Sequence, residues 1–270
     1  MSEADRSYTY RTSCGHVTGR SHLKTSTPCQ DYAATRIQHD FACIALADGA
    51  GSKKHSAYGA KAVVKAITRV LADRFEDMWA LSDSSPAEAS SELIDCCRSA
   101  LALQANKLGC EFSELASTLM FVAHSRGRFL AGHVGDGCII HRQDDGDVTV
   151  LSHPDNGEYA NTTFFVTDSK IHSHFRLYRG MSGQGSGFLV MSDGTAESLY
   201  RRADKSPAAP AIQKILSWCS TASPKEMRAA LTQNLEHSFG AKSADDCSIG
   251  VLALASSEIS AEKTMGKALP

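Results

Sequence analysis

An apolar run leads directly into an aspartate at Asp48 in ALADGAG, Asp136 in GHVGDG and Asp193 in LVMSDG, each followed by glycine. Asp245 and Asp246 in SADDCSIGVL, and Asp31 in PCQDYA, stand immediately before such runs. A carboxylate at the end of a buried strand lies at the rim of the core, and several such ends on adjacent strands converge. Two like charges within a few ångströms repel by about 4 kcal/mol at an effective dielectric of about 20, so the cluster calls for cations. An all-oxygen ligand set suits hard divalent ions such as Mg2+ or Mn2+ rather than zinc. Glycine after the aspartate lets a backbone carbonyl and water approach the ion closely. A lone Asp-Gly is ordinarily a turn, and Asp145-Gly146 is read as one. Recurrence after apolar runs sets the others apart, and the chemistry it supports is metal-dependent hydrolysis.

The elements that must position these residues show in the periodicities. Residues 8–18 alternate like a strand, and 41–47 (FACIALA) form a run short enough for a strand buried on both faces. Residues 56–75 place Ala60, Val63, Val64, Ile67, Val70 and Leu71 at helical spacing. A polar connector, LSDSSPAEA, follows, and its Pro86 opens a second helix over about 86–107. From residue 116 strands return as STLMFVAHS, RFLAGHVGD and CIIHR, the last turning at Asp145-Gly146 into DVTVLS. Residues 152–187 are polar and aperiodic, an excursion of the kind that often carries function. GFLVMSD is the next strand, followed by helices at about 208–220 and 223–238. Ser223, Pro224 and Glu226 form the N-terminal signature of the second. Residues 247–255 make a final strand, and the polar tail 256–270 frays. This order predicts one layered α+β domain over residues 1–255.

With 42% hydrophobic and 21% charged residues, the chain has the make-up of a soluble globular domain with ample core. A net charge of -2 offers no field to recruit nucleic acid or an anionic membrane. No apolar run reaches the roughly 20 residues of a spanning helix. The N-terminus is polar and carries no leader-like stretch. Nine cysteines form no CxxC pair, and their odd number reads as reduced thiols in a cytoplasm. Only Cys14 has an arginine at CxxxxxR spacing, Arg20, and it falls in the strand-like stretch 8–18 rather than in a phosphate-cradling loop, so a cysteine nucleophile is not expected.

The ordered stretches Cys29-Gln30-Asp31, Asp48-Gly49-Ala50-Gly51, Ala116-Ser117-Thr118, Gly135-Asp136-Gly137, Ser192-Asp193-Gly194 and Asp245-Asp246 span nearly the whole chain. In order and spacing they resemble the PPM (type 2C) metal-dependent serine/threonine protein phosphatases, and GEYANTTFFVT (157–167) is similar to a bacterial subgroup. The resemblance implies a four-layer αββα sandwich: two antiparallel sheets face to face, an antiparallel helix pair outside each, and metals at one end. It implies two Mn2+ or Mg2+ ions and a weaker third. Asp48 would bridge the first two, with the Gly49 carbonyl on one and Asp193 and Asp245 on the second. Asp31 would hold ion-bound waters, and Asp136 with Asp193 would form the third position. Asp48, Asp193 and Asp245 are thereby the expected catalytic set. A water bridging the two cations would attack the phosphorus of phosphoserine or phosphothreonine in line, without a phosphoenzyme. Its substrates would be phosphoproteins made by a serine/threonine kinase.

The chain departs from eukaryotic members at two places. Ser26 stands where an arginine grips the phosphate, and Ala50 where a histidine protonates the leaving group. Arg20 and His22 in GRSHLK, read as a loop, are the nearest groups for the phosphate, with Lys24 beside them. His55 or an ion-bound water is open for the acid role. Gln30 replaces a common glutamate. Ser117 and Thr118 read as packing residues, His133 and His141 as core or surface residues, and His172 and His174 as one solvated face of a strand. Lys53, Lys54, Arg201 and Arg202 are a basic sprinkling, read either as an aid to recruiting phosphorylated, acidic substrates or as ordinary solvated surface. The two departures leave open a second reading, a catalytically weak relative that acts as a binding or regulatory module. A phosphodiesterase or small-molecule phosphatase with the same metal site is a third.

Overall fold

The computed structural model describes residues 8–155 and 163–255. The tail 256–270 and the first part of GEYANTTFFVT lie outside them. Strand β3 (Phe41–Ala47) shows how an unbroken apolar run becomes architecture. Its Ala42, Ile44 and Leu46 face an opposing sheet, while Phe41, Cys43, Ala45 and Ala47 face a helical layer. A strand covered on both sides has no polar face to show.

β3 belongs to an antiparallel sheet ordered β2 (Tyr32–Gln38), β3, β4 (Leu119–Ser125), β5 (Arg128–Val134) and β8 (Arg176–Met181). The second sheet, also antiparallel, runs β1 (Thr9–Val17), β12 (Cys247–Ala255), β9 (Gly187–Met191), β6 (Cys138–Arg142) and β7 (Val148–Ser152). Between them Ile44, Leu46, Met120, Val122, Phe188, Val190 and Leu252 form the inner core. Helices α2 (Ser56–Ser84) and α3 (Pro86–Leu108) cover the first sheet. Helices α5 (Ala209–Thr221) and α6 (Pro224–Asn234) cover the second. The result is the expected four-layer αββα sandwich. No helix among the described residues is long and apolar enough to cross a membrane, and all nine cysteines are free thiols.

Several elements differ from the sequence reading, each for a physical reason. Helix α2 continues past residue 75 to Ser84, because Phe75, Met78 and Ser82 keep its buried stripe going through a kink at Arg74 (φ -135, ψ 27). It stops at Ser85, the residue before Pro86, where the helical conformation is disfavoured. The 152–187 excursion contains β8, an edge strand paired with β5. None of its side chains is fully buried, so no alternation marks it. His172 and His174 lie in and just after a 3₁₀ turn over Ile171–Ser173, not on a strand; His172 faces Asp95 at 3.5 Å and His174 stacks on Phe164. GRSHLK is a short helix, α1 (Arg20–Thr25), with no buried residue and no side-chain cap to announce it. Helix α4 (Asp193–Leu199), also unforeseen, begins on Asp193 itself. The capping box of Ser223 and Glu226 is formed, and α6 passes into a π-helical turn over Leu235–Phe239.

Candidate functional site

Antiparallel register delivers the acidic residues to one end of the sandwich. Tyr32, which follows Asp31, pairs with Ala47, which precedes Asp48. Leu119 pairs with Val134, just before Gly135-Asp136. Met191, just before Ser192-Asp193, pairs with Cys138 on one side and Ile249 on the other. Val17 pairs with Cys247, which follows Asp245-Asp246.

The carboxylates at this rim feel one another. Asp31 is only 4% exposed, and among the described residues neither of its carboxylate oxygens meets a donor in full hydrogen-bond geometry. Burial pushes it up to about 7, with the Asp246 charge adding and the nearby Ser248 and Ser192 hydroxyls opposing. Asp48 is raised well above the usual carboxylate range by burial first, then by the charges of Asp31, Asp193, Asp136 and Asp245. Burial also takes Asp193 to about 7, helped by Asp136 and Asp245 and opposed by the Gly194 N–H. Such a set cannot be fully ionised without positive charge beside it.

The donor chemistry fits divalent cations. Orphaned oxygens on Asp31 are buried acceptors that ion-bound water would satisfy. The thiols of Cys29 and Cys247, raised chiefly by burial and then by the Asp31 charge, Cys247 to about 12, donate to the backbone carbonyls of Asp31 and Asp245 at 3.7 Å. The Asp48-Gly49 backbone is clamped. Asp48 N donates to Thr118 Oγ1 at 2.9 Å, Thr118 N to Asp48 O at 2.8 Å, and Gly49 N to Gln30 O at 3.2 Å. A Cβ on Gly49 would fall 2.8 Å from Gln30 O, so no larger residue fits. The sequence presents Thr118 and Ser117 as packing residues. Both are buried, yet Thr118 also fixes the backbone of Asp48, and Ser117 forms a bridge with Gly49.

The Asp245-Asp246 pair divides into two environments. Asp245 is exposed, whereas Asp246 is 3% exposed. Asp246 Oδ1 accepts from Gly19 N at 2.7 Å and faces His22 Nδ1 at 2.9 Å, while Oδ2 accepts from Gln30 N at 2.6 Å. His22, Asp245 and Asp246 present ligand atoms within 4.8 Å of one another. One ring nitrogen of His22 is therefore committed to Asp246, a contact the sequence does not signal. Arg20 Nε donates to Ser243 O at 3.2 Å, and Ser21 N to Ala244 O at 2.9 Å, so α1 is stapled to the loop bearing both aspartates. Among the other basic residues, the charge of Arg202 reaches Asp193. Lys53 pairs with Glu114, and Arg201 with Asp204. His55 precedes α2 and lies against Tyr58.

Asp246→Ala would leave two buried N–H groups without an acceptor. It is expected to cost roughly 2–6 kcal/mol in a urea unfolding curve, at about 1–3 kcal/mol per orphaned group. Asp246→Asn keeps one of the two acceptor oxygens and sets an NH2 against the other N–H, so it should recover at most about half of that loss.

Comparison with known proteins places the chain among related sequences and folds. The family model described as protein phosphatase 2C matches residues 18–236. Serine/threonine-protein phosphatase 3 of Escherichia coli (strain K12) is 24% identical over 215 residues, covering 77% of this chain and 83% of that protein. Among solved structures, PppA, a regulatory component of the T6SS in Pseudomonas aeruginosa, superposes with a TM-score of 0.63 at 16% identity, over 92% of this chain and 100% of that one. The catalytic domain of the serine threonine protein phosphatase PstP, in complex with 2 manganese ions, gives 0.58 at 15% identity, again over 92% and 100%.

Proposed function

The chain belongs to the protein phosphatase 2C family, and from that premise we propose that it removes phosphate from phosphoserine and phosphothreonine in proteins, as one phosphatase domain over residues 1–255. The observation that carries this reading is the convergence of Asp31, Asp48, Asp136, Asp193 and Asp245 at one rim, with three of them raised by burial and mutual repulsion. Asp48, the Gly49 carbonyl, Asp193 and Asp245 are the residues that would hold two Mn2+ or Mg2+ ions. Asp136 would join Asp193 at a weaker third, and Asp31 would sit behind them. When bound, such cations acidify a bridging water and neutralise charge on the phosphoryl oxygens. The chain's own part is to fix the carboxylates on strand ends that the sandwich core keeps rigid. Arg20, at the rim through α1, and Arg202, whose charge reaches Asp193, are the candidates to receive the substrate phosphate in place of the absent arginine. The partners are phosphoproteins made by a serine/threonine kinase, met in the cytoplasm.

The test is release of phosphate from phosphoserine and phosphothreonine peptides by the pure protein, with and without excess Mn2+. Mn2+-dependent turnover that disappears in Asp193→Asn supports the proposal. Absence of turnover across several peptides, with Mn2+ still bound in calorimetry, would favour the regulatory module that Ser26 and Ala50 leave open.

A further inference from the structure

Asp136 is carried on a tight loop, Gly135-Asp136-Gly137, between β5 and β6. Gly135 sits at φ +117, and a Cβ there would meet the Thr118 side chain at 2.5 Å. A Cβ on Gly137 would meet the Met120 side chain at 2.2 Å and Met191 O at 2.6 Å. Packing thus fixes the backbone on both sides of Asp136 and leaves its side-chain rotation as the remaining freedom. That freedom is addressed from the excursion. Thr163 Oγ1 donates to Asp136 Oδ2 at 2.5 Å, a bond that occupies one of the two carboxylate oxygens.

Thr163 is itself held. Three residues on, Val166 N donates to Ser117 O at 2.9 Å, and Arg98 of α3 donates to Val166 O at 2.7 Å and to Asp168 O at 3.0 Å. Phe165 N donates to Asp168 Oδ2 at 2.8 Å, and Phe164 stacks on His174. At the other end of the excursion Asp155 N donates to Gly135 O at 3.0 Å. The loop bearing Asp136 is therefore gripped by Asp155 through its backbone and by Thr163 through the carboxylate.

We infer that Thr163 is a positioning residue for the weaker divalent-ion position, its hydroxyl locking the rotamer of Asp136 so that one carboxylate oxygen is kept for the ion. This rests on the reading of Asp136 as a ligand given above. Outer partners that orient a ligating carboxylate are commonly worth about 10–100-fold in metal affinity. A threonine suits the role because its hydroxyl supplies the bond while its methyl holds χ1.

The experiment is calorimetric titration of Mn2+ into the metal-free full-length protein, comparing the natural chain with Thr163→Val, Thr163→Ser and Asp136→Asn. Thr163→Val keeps shape and removes the hydroxyl. It is expected to weaken the weakest Mn2+ event about tenfold while the tighter events stay within twofold or so. Thr163→Ser should restore the natural affinity, and Asp136→Asn should abolish that same event. Unchanged affinity in Thr163→Val, beside a lost event in Asp136→Asn, overturns the role of Thr163 alone. Weakening of every event in Thr163→Val equally overturns it, by showing a general structural part. No change in Asp136→Asn overturns the assignment of Asp136 as a ligand, and the inference with it.

Discussion

Replacing Asp48 with asparagine is expected to lower Mn2+-dependent phosphopeptide turnover by about 10^3-fold or more while making the metal-free protein more stable. Both effects come from the same charge. Asp48 feels Asp31, Asp193, Asp136 and Asp245 together, and it is the proposed bridge between the two ions. Losing several kcal/mol of metal-based stabilisation of the transition state corresponds to that rate loss, at 1.36 kcal/mol per tenfold. Without cations the same carboxylate is a liability, repelled by its neighbours and cut off from water. Removing it should add about 1–3 kcal/mol to unfolding in urea with EDTA present. A variant that loses activity and stability together would point to damaged packing. One that keeps turnover would remove Asp48 from the mechanism.

The second large effect concerns pH. Asp31 and Asp193 are held at about 7 and Asp48 well above the usual range, each chiefly by burial, whereas an unfolded aspartate titrates near roughly 3.9. Between about pH 4 and pH 7 the metal-free native state binds more protons than the unfolded chain, so its stability must fall as pH rises through that window. Bound Mn2+ needs these groups deprotonated, so its stabilising effect must grow over the same range. The melting temperature in EDTA is expected to be higher at pH 5 than at pH 8. Mn2+ at about a hundredfold over its Kd, worth about 2.7 kcal/mol, should raise it by about 5–10 °C at pH 8 and by little at pH 5. The opposite slope in EDTA would mean the carboxylates are not the buried, mutually repelling set described here.

The sandwich was readable because its strands are covered on both sides. FACIALA, GFLVM and CSIGVLALA have no polar face, and an aspartate directly beside such a run has to lie at the rim. Antiparallel order then brings five distant positions together without any of them being close in sequence. What stayed hidden depends on partners rather than on pattern. Strand β8 has no fully buried side chain, and β5 alone makes it a strand. Helix α1 has no apolar face and is held by backbone bonds to residues 243–244. Asp245 and Asp246 are the same residue type side by side, and the buried N–H groups of Gly19 and Gln30, with the His22 ring, tell them apart. Thr163 looks like any polar residue of an aperiodic stretch until the fold lays it on Asp136.

The most direct test is anomalous diffraction at the manganese edge from crystals of the metal-free protein soaked in Mn2+. The expected map holds two strong peaks touching Asp48, one also on the Gly49 carbonyl and the other on Asp193 and Asp245, with a weaker peak at Asp136. Peaks elsewhere on the surface, or none at this rim despite saturating Mn2+, would contradict it.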